Sequence, residues 1–461
     1  MSDLPQPIAL APLPAVEDPD GTPLRVAFRT LGCRLNQYDT EGIRTALAHF
    51  RPLQVVQWDE QADLYVLNSC TVTGKADQEC RRLARQAKRR HGPAKVVVVG
   101  CYAQTQPDQL AAIDEIDAVV GNTVKDDVAN WLPAVMGSEQ ATVQVEEFDE
   151  NAVFDSPLIS EFSGRSRAFV KVQDGCNLRC TYCLIWQARG PGRSRAHRDV
   201  LSQLRVLVDA GYNETILAGI HLGGYGRDLT PRLPLTDLLE SCLREFPALR
   251  IRLSSIHPNE VTPGLLELFA RHERLRPHLH ISLQSGSSSV LARMKRPYRG
   301  QRAWEAMRQV AAVSPDFGIG ADIIVGFPGE TDAEFAETRR LVEESPFSYL
   351  HVFRYSRRPG TVAATMADQV HTETITERSA VLRGLARAKE RAFALAMVGQ
   401  RREAVVEAAG TGTAAGWRHA TTDNYVTVLV PEGLDEGSLA QVSITDFNDG
   451  RLTGRAVAGE C

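Results

Sequence analysis

The 461-residue sequence predicts an α/β protein of three blocks: an open parallel α/β domain, a partial barrel of six βα units and a small all-β barrel. Two observations lead to this fold class. Short apolar runs alternate with amphipathic segments along most of the chain, which indicates parallel sheets. Near the C-terminus, short apolar runs alternate instead with Gly-rich turns, which is typical of a small β-barrel.

The composition is that of a globular protein from a reducing compartment. Hydrophobic residues make up 43% of the chain and charged residues 24%, and the net charge of −5 excludes a polycation. No apolar run reaches the about 18 residues of a transmembrane helix, and residues 1–22 contain no Lys or Arg of the kind that begins a signal peptide. Nine unevenly spaced cysteines do not describe a disulfide framework. We therefore expect a cytoplasmic protein with no membrane partner, whose cysteines are free for core, metal or redox roles.

The first block, 24–136, follows a tail, 1–23, that we expect to be flexible. Its alternation of strands and helices predicts an open parallel sheet. The predicted strands are Arg25–Phe28, Leu64–Asn68, Val96–Gly100 and Ala118–Val120, and the predicted helices are Thr40–Phe50 and Gln78–His91. Between Asp114 and Glu161 twelve acids stand against one Lys, and residues 137–161 are predicted to form an acidic linker.

The second block, 162–397, repeats the strand–helix alternation about six times, which predicts a partial parallel barrel, with a doubly wound sheet as the alternative. A long Ala/Arg-rich helix, Thr376–Met397, closes this block. The third block, 398–458, is the predicted all-β barrel, with strands such as Asn424–Val430 and Leu439–Ile444. The strands predicted in the second block are Ala168–Val172, Glu214–Ala218, Arg250–Leu253, His278–Leu283, Gly318–Val325 and Tyr349–Tyr355.

Three cysteines on one short loop give the sharpest local signal. In Asp174–Cys183 the residues Cys176, Cys180 and Cys183 have C-x3-C-x2-C spacing, at the end of the first predicted barrel strand. Three thiolates so placed can bind three irons of a cubane cluster and leave the fourth iron open to a small chelating ligand. The alternatives are buried structural cysteines and a zinc site, which requires four ligands and for which His197 is the candidate fourth.

Three further cysteines each follow a predicted strand of the first block. They occur as Gly32-Cys33, Ser69-Cys70 and Gly100-Cys101. Because the C-terminal ends of parallel strands face one crevice, we expect these thiols to converge in space. The alternative is that each is an isolated core thiol.

The C-x3-C-x2-C loop, the aromatic Tyr182 before its last cysteine and the predicted βα barrel resemble the radical S-adenosylmethionine superfamily. The resemblance implies a 4Fe–4S cluster bound by Cys176, Cys180 and Cys183, with its open iron chelated by S-adenosylmethionine. It also implies that one electron from the cluster cleaves the sulfonium to methionine and a deoxyadenosyl radical. The protein then supplies orientation and the exclusion of water.

The motifs around the other cysteines are similar to those of the methylthiotransferases, and this likeness extends over 24–458. It implies that Cys33, Cys70 and Cys101 bind an auxiliary 4Fe–4S cluster. The third block resembles the TRAM domain, with which that family binds RNA, and Thr422–Tyr425 lies near the usual start of a strand. The three cysteine motifs are Thr30–Glu41, Asn68–Thr73 and Gly100–Gln104.

Segments of the barrel resemble one subgroup of that family. Leu217–Asp228, Leu350–Thr361 and the Val72-Thr73 pair are similar to the enzymes that act on N6-threonylcarbamoyladenosine next to the anticodon of tRNA. The resemblance implies two roles for S-adenosylmethionine, one in methylating sulfur at the auxiliary cluster and one in activating the C2–H bond of the base. One departure is Trp186, where the family usually has Pro.

Three alternatives to this function remain open. Within the family they are isopentenyladenosine in tRNA and an aspartate of a ribosomal protein. From another class, the chain would be a non-catalytic zinc-dependent RNA-binding protein.

Five residues are candidate contacts of S-adenosylmethionine by analogy with the superfamily, because barrel sites form at the C-terminal ends of strands. The alternative for such residues is structural, as for turns at Gly326 and Gly329 or an ion pair of Arg296. The candidates are Gly219, Ser255, Gln284, Arg296 and Asp322.

Two basic segments predict phosphate contacts with the expected tRNA partner, with a solvated surface as the alternative. The resemblance also implies an electron donor such as flavodoxin or ferredoxin. Cys80, Cys242 and Cys461 match no motif and are expected to be ordinary thiols. The basic residues are Arg81, Arg82, Arg85, Lys88, Arg89 and Arg90 on the predicted helix, and Arg189, Arg193, Arg195 and Arg198 after the cysteine loop.

Overall fold

The computed structural model describes residues 22–150, 152–154, 156–408 and 416–457. They form two compact units, the first comprising 22–71 and 75–147 and the second comprising 72–74 and the described residues from 148 onward. The predicted flexible tail, apart from its last two residues, and Cys461 lie outside the described residues. Among the residues described, no helix combines the length and the apolar character needed to cross a membrane.

The first unit is built on a six-stranded parallel sheet, as the alternation of strands and helices predicts. Its strand order is β2-β1-β3-β4-β5-β6. The strands are β1 (Leu24–Thr30), β2 (Leu53–Val56), β3 (Leu64–Ser69), β4 (Lys95–Gly100), β5 (Ala118–Val120) and β6 (Thr142–Gln144). The helices are α1 (Arg34–Phe50), α2 (Gly74–Arg90), α3 (Cys101–Thr105), α4 (Pro107–Ala111) and α5 (Val128–Gly137).

Both faces of this sheet are covered by helices. On one face, Leu83 and Ala87 of α2 pack with Tyr65 and Val98 of the central strands. On the other face, α1 and α5 supply apolar side chains, such as that of Trp131, to a second core. Burial on both faces explains why the central strands are continuous apolar runs rather than alternating ones.

The second unit contains a partial barrel of parallel strands. Two four-stranded sheets, β10-β9-β7-β8 and β11-β12-β13-β14, place the six longer strands side by side in chain order, with only β8 antiparallel to its neighbour. These strands are β7 (Ala168–Asp174), β8 (Arg193–Ser194), β9 (Glu214–Gly219), β10 (Arg250–Leu253), β11 (Ser255–Ile256), β12 (His278–Gln284), β13 (Gly318–Val325) and β14 (Tyr349–Arg354). The α/β fold with a partial βα barrel is therefore confirmed.

The helices of the second unit separate and cover these strands. The long helix predicted over Thr376–Met397 is the last of them and begins four residues earlier. They are α6 (Ile185–Arg189), α7 (His197–Asp209), α8 (Leu235–Glu245), α9 (Pro263–Arg271), α10 (Ser288–Arg293), α11 (Gly300–Ala311), α12 (Asp332–Glu344) and α13 (Thr372–Met397).

A closed five-stranded barrel ends the described chain, which confirms the small all-β barrel. Its strand order is β15-β16-β17-β19-β18, and its interior contains small and branched side chains such as Ala404, Val428 and Ile444. The strands are β15 (Arg401–Val406), β16 (Trp417–Thr422), β17 (Thr427–Pro431), β18 (Leu439–Asn448) and β19 (Arg451–Ala456).

The strand predicted over Asn424–Val430 was wrong at its start. The chain makes a tight turn instead, in which the backbone N–H of Thr422 donates to the carbonyl oxygen of Val426 and Tyr425 has a φ of +71°. This turn packs against the βα barrel, because Arg252 donates to the carbonyl oxygens of Thr422 and Asp423. The residues predicted to open a strand therefore join the small barrel to the N-terminal ends of the barrel strands.

The segment predicted to be an acidic linker, 137–161, makes specific contacts in each unit. In the first unit it contains β6, which pairs with β5 at the edge of the sheet. In the second unit, Phe148 packs against Gly190, where an added Cβ would lie 2.4 Å from the Phe148 ring. Ile159 is buried and exchanges two hydrogen bonds with Gln203. The domain boundary placed at this segment stays a prediction.

Candidate functional site

The loop after β7 carries three cysteines and is shaped by one glycine. Gly175 has a φ of +71°, and a Cβ at this position would lie 1.9 Å from the carbonyl oxygen of Pro191, so only glycine fits. The backbone N–H of Cys176 donates to the carbonyl oxygen of Gly190 over 3.0 Å, which closes the loop. The chain then brings Cys180 and Cys183 into one turn, where the N–H of Cys183 donates to the carbonyl of Cys180.

Donors surround the sulfur atoms of this loop. Arg296 donates to Cys180 Sγ over 3.5 Å, and the backbone N–H of Ile185 donates to Cys183 Sγ over 3.3 Å. Burial raises the pKa of the Cys183 thiol to about 12, so its thiolate form requires a cation such as iron beside it. Three sulfur ligands on one loop, with donors directed at two of them, fit an iron–sulfur cluster better than a zinc site, which requires a fourth ligand.

His221 and Glu260 form a buried pair beside Cys176. His221 Nε2 lies 2.5 Å from Glu260 Oε1. Burial opposes protonation of His221, but its contacts with the Cys176 thiol and with Glu260 outweigh burial and raise its pKa to about 9. The His257 ring stacks on His221 with centroids 4.6 Å apart, and burial together with Arg296 lowers the pKa of His257 to about 3.

The three other motif cysteines follow three adjacent strands of the first unit. Cys33 comes after β1, Cys70 after β3 and Cys101 after β4. Gly32 has a φ of +94°, and a Cβ at this position would lie 2.7 Å from the Cβ of Cys70, so the first two loops touch directly. Cys33 is exposed, whereas Cys70 and Cys101 are buried.

One side chain, Asn36, links these loops. Its Nδ2 donates to the carbonyl oxygens of Leu31 and Ser69, and its Oδ1 lies 3.8 Å from Cys101 Sγ. Asn36 is 1% exposed, so these contacts are shielded from water. The predicted convergence of the three cysteine loops is therefore observed, around a residue that the sequence analysis did not single out, although it lies inside the Thr30–Glu41 motif.

Two of the candidate S-adenosylmethionine contacts adjoin the loop after β7. Arg296 reaches Cys180, as described. Gly219 ends β9, and a Cβ at this position would lie 3.0 Å from Gln173 Oε1, whose own Nε2 donates to the carbonyl oxygens of Asp174 and Gly175.

The remaining three candidates lie on the second sheet of the barrel. Gln284 ends β12 with a φ of +70°, a strained conformation for a residue other than glycine. Ser255 on β11 is opposite His280 in the strand register. Among the described residues, Asp322 on β13 bonds to two histidines rather than to the cysteine loop.

These histidines form a cluster that sequence reasoning missed. Asp322 Oδ1 lies 3.0 Å from His280 Nε2 and 3.2 Å from His351 Nδ1. Burial alone would raise the pKa of Asp322, but the hydrogen bonds from both histidines lower it well below its usual range. The available signal was the recurrence of polar residues at every second position of β12, which is typical of residues that line a barrel interior.

Two of the arginines predicted to contact phosphate are instead buried. Arg189 is 1% exposed and donates to both carboxylate oxygens of Asp174, and Arg195 is buried. Arg193 lies over the Phe148 ring, whereas Arg198 is exposed beside Asp199. The predicted phosphate surface after the cysteine loop was therefore wrong for Arg189 and Arg195, because the Asp174 carboxylate binds the first and the Phe154 ring lies against the second.

The basic face of α2 is partly neutralised by acids of the same unit. Glu79 pairs with Arg82, Glu115 with Arg85 and Asp117 with Lys88. Cys80 of α2 is buried in the core of the first unit, and Cys242 is likewise buried in the second unit. Both thiols are core residues, and their assignment as ordinary thiols stays a prediction.

Trp186, which replaces the Pro usual in the resembled family, has a specific partner. The guanidinium of Arg179 lies 3.9 Å from the centroid of its ring. A cation over an indole face is the favoured geometry for such a pair. The Trp–Arg contact thus links the cysteine loop to α6.

Two family models match the chain. The first, described as Uncharacterized protein family UPF0004, covers residues 25–121, and the second, described as Radical SAM superfamily, covers residues 170–342. The solved structure of the radical S-adenosylmethionine methyltransferase TsrM from Kitasatospora setae is similar with a TM-score of 0.53 and 13% identity, over 74% of each chain. The cobalamin-dependent S-adenosylmethionine radical enzyme OxsB is similar with a TM-score of 0.51 and 14% identity, over 80% of this chain and 57% of that one. At these identities the likeness shows the fold.

The fold, the cysteine loop and these matches define a radical S-adenosylmethionine enzyme, whose cofactors are a 4Fe–4S cluster and S-adenosylmethionine. Two curated proteins named threonylcarbamoyladenosine tRNA methylthiotransferase MtaB are similar to it. The one from Bacillus subtilis (strain 168) is 40% identical over 77% of this chain and 78% of that protein. The one from Aquifex aeolicus (strain VF5) is 36% identical over 91% of this chain and 100% of that protein. The chain belongs to this MtaB family of radical S-adenosylmethionine methylthiotransferases.

Proposed function

We propose that this protein adds a methylthio group to C2 of N6-threonylcarbamoyladenosine, on the 3′ side of the anticodon in tRNA. The observation that carries the proposal is the presence of two separate cysteine triads, each at the C-terminal edge of its own parallel sheet. A methylthio transfer requires both a radical to activate the C–H bond and a place for the sulfur, and two centres supply both. The names of the relatives support the choice of substrate.

Cys176, Cys180 and Cys183 would bind the radical cluster. When bound, this cluster with S-adenosylmethionine supplies the one-electron chemistry that activates the C2–H bond. Residues of the chain position the cysteine loop. Arg296 donates to Cys180 Sγ, and Gln173 Nε2 donates to the carbonyl oxygens of Asp174 and Gly175 at the start of the loop. The five candidate contacts named from the sequence remain proposals, with Gly219 and Arg296 supported by their places beside the loop.

Cys33, Cys70 and Cys101 would bind an auxiliary 4Fe–4S cluster. The burial of Cys70 and Cys101, at 5% and 3% exposure, and the exposure of Cys33 give a site with one open side. Asn122 Nδ2 donates to Cys101 Sγ over 3.6 Å, and hydrogen bonds to sulfur tune such clusters.

The remaining partners follow from the substrate. An adenosine beside the anticodon must be turned out of its stack to reach a site at the strand ends of a barrel. The closed terminal barrel would contribute RNA contacts, and a flavodoxin or ferredoxin would supply the electron. We also propose that the protein acts in the cytoplasm, which a reaction on tRNA supports. We keep 24–136, 137–161, 162–397 and 398–458 as the proposed domain limits.

Iron and sulfide analysis of the anaerobically reconstituted protein tests the two-cluster proposal. About eight irons per chain are expected, falling to about four in the triple variant Cys33→Ala, Cys70→Ala, Cys101→Ala. Four irons that the triple variant does not change would remove the auxiliary cluster. Zinc without iron would favour the non-catalytic RNA-binding protein instead.

Nucleoside analysis of tRNA from a deletion strain tests the substrate. We expect the methylthio form of N6-threonylcarbamoyladenosine to disappear and to return with the intact gene. Loss of the methylthio form of isopentenyladenosine, or of a modified ribosomal aspartate, would assign the other substrates of the family.

A further inference from the structure

A cavity of about 380 Å³ lies beside the barrel strands in the second unit. Its walls come from the loop after β9, the turn after β11 and the first residues of α8 and α9. All of these segments follow strands or begin helices, so the cavity is at the C-terminal end of the barrel, where the cysteine loop also lies. Its volume falls within the roughly 300–1,000 Å³ of small-molecule sites.

One loop brings two arginines to the wall of this cavity. Gly226 has a φ of +76°, and a Cβ at this position would lie 1.7 Å from the carbonyl oxygen of Leu233. The N–H of Leu233 donates back to the carbonyl of Gly226. The chain between these residues therefore folds on itself, and it presents both Arg227 and Arg232 to the cavity. Asp228 anchors the loop to β8 by accepting from the backbone N–H and the hydroxyl of a single serine, Ser194.

The charged residues of the lining leave a positive surplus. They are Arg227, Arg232 and Glu260. Glu260 is already bound from within the protein, because its Oε1 lies 2.5 Å from His221 Nε2 and its Oε2 accepts from the backbone N–H of His257 over 3.0 Å. Arg227 lies 3.4 Å from Glu260 with its side chain 63% exposed, and Arg232 is exposed. Two guanidinium groups thus face the cavity against one carboxylate, and His221 and the backbone of His257 share that carboxylate with Arg227.

The cavity is separated from the radical-cluster loop by two side chains. Glu260 lines the cavity and pairs with His221, and His221 contacts the thiol of Cys176. At Gly223 a Cβ would lie 2.1 Å from Glu260 Oε2, so the loop approaches this pair as closely as glycine allows. A substrate base held at the cluster would therefore have its substituents within reach of the cavity.

We propose that this cavity binds the threonyl carboxylate of the substrate adenosine through Arg227 and Arg232. The inference rests on the proposed function, because the threonylcarbamoyl group is an amino acid joined through its nitrogen and so carries a free carboxylate. The planar fork of a guanidinium matches a carboxylate. An isopentenyl group has no charge, so it would offer the two guanidinium groups no anion. The cavity thereby selects the anionic N6 group over neutral ones.

The test measures the affinity of the reconstituted enzyme, with S-adenosylmethionine, for two synthetic anticodon stem–loops. One carries N6-threonylcarbamoyladenosine, and the other carries the same nucleoside with its carboxylate replaced by a carboxamide. We expect the wild-type enzyme to bind the carboxylate RNA about tenfold more tightly. The variants Arg232→Met and Arg227→Met/Arg232→Met should lose this preference and keep the affinity for the carboxamide RNA. Arg244→Met, an exposed position on α8 outside the cavity, is the matched control and should keep the preference.

Each other outcome overturns the inference. A preference that survives in the double variant would place the carboxylate elsewhere. Equal weakening of both RNAs would assign the arginines to a backbone phosphate. If wild-type enzyme shows no preference, the cavity does not read the carboxylate, and product formation on the first stem–loop then shows separately whether the proposed function stands. Iron content and melting temperature, equal to wild type, establish that the variants fold.

Discussion

Asn36 donates its side-chain amide to the carbonyl oxygen of Ser69 over 2.9 Å, and so joins the start of α1 to the loop that carries Cys70. The same side chain reaches Cys101 Sγ. In Asn36→Ala the buried carbonyl of Ser69 loses this donor, which costs about 1–3 kcal/mol. We expect iron to fall from about eight towards about four per chain, because the loops are no longer held together.

Asn130 provides the control for that prediction. It is an exposed asparagine of the same unit, and its side chain bonds only locally, to Asp127. Asn130→Ala should keep full iron content and change the unfolding free energy by less than about 0.5 kcal/mol. Unchanged iron in Asn36→Ala would show that the cysteine loops hold their positions without the amide.

Gly175 permits a second prediction, on the radical-cluster loop. Gly175→Ala places a Cβ against the carbonyl of Pro191, which must move and open the loop. Gly211→Ala is the matched control, because Gly211 also has a positive φ, of +88°, with nothing within 4 Å of an added Cβ. Gly211→Ala should cost about 1 kcal/mol and retain the cluster. Gly175→Ala should lose the visible absorption of one cluster. Equal iron in the two variants would contradict this.

The arrangement of strands and helices could be predicted from the sequence because buried parallel strands are apolar runs. The predicted strands Ala118–Val120, Arg250–Leu253 and Gly318–Val325 agree with the observed bounds. The edge strand β2 was missed because its residues are half-buried or exposed and give no such run. Helix α1 begins six residues before its predicted start at Thr40. Its first turns bury polar residues, which hides the helical periodicity.

The candidate site could be predicted only as far as its sulfur ligands. Spacing along the chain identifies Cys176, Cys180 and Cys183, but it contains nothing about partners that are distant in sequence. Arg189 was expected at the surface, and it is buried because Asp174 lies across the loop. The pairing of His221 with Glu260 likewise depends on two turns that only the fold brings together.

The buried charge cluster at the N-terminal end of the barrel strands makes stability depend on pH. Burial alone would raise the pKa of Glu214, but Arg252, Arg167 and Arg276 outweigh it and lower the pKa to about 2. Because the pKa is lower in the folded chain than in the unfolded one, the stabilisation is fully present above pH 4.5 and is lost as the pH falls towards 2. Glu214→Gln should therefore cost about 3–5 kcal/mol at neutral pH.

The measurement for Glu214 is urea unfolding of both full-length proteins at several pH values. The difference between wild type and Glu214→Gln should be largest at neutral pH and shrink below pH 4.5. Glu245→Gln is the control, because Glu245 is part of an exposed pair with Arg205, and exposed pairs contribute about 0–1 kcal/mol. A difference that stays constant with pH would mean that Glu214 contributes through shape rather than charge.

Tyr425 connects the terminal barrel to the βα barrel, and its removal should loosen that connection. Its ring stacks on His278 with centroids 4.3 Å apart, and the Arg252 guanidinium lies 5.1 Å from its centroid. Tyr425→Ala removes both contacts, and stacked aromatic pairs are worth about 0.5–1.5 kcal/mol beyond the area that they bury. We expect faster proteolysis between α13 and β15 with the iron content unchanged, because the cysteine loop is at the other end of the strands.

Trp417→Ala is the control, at an exposed aromatic residue on β16, and it should leave the rate of cleavage as it is in wild type. Equal rates in Tyr425→Ala and wild type would show that the hydrogen bonds from Arg252 to the turn are sufficient to hold the two barrels together.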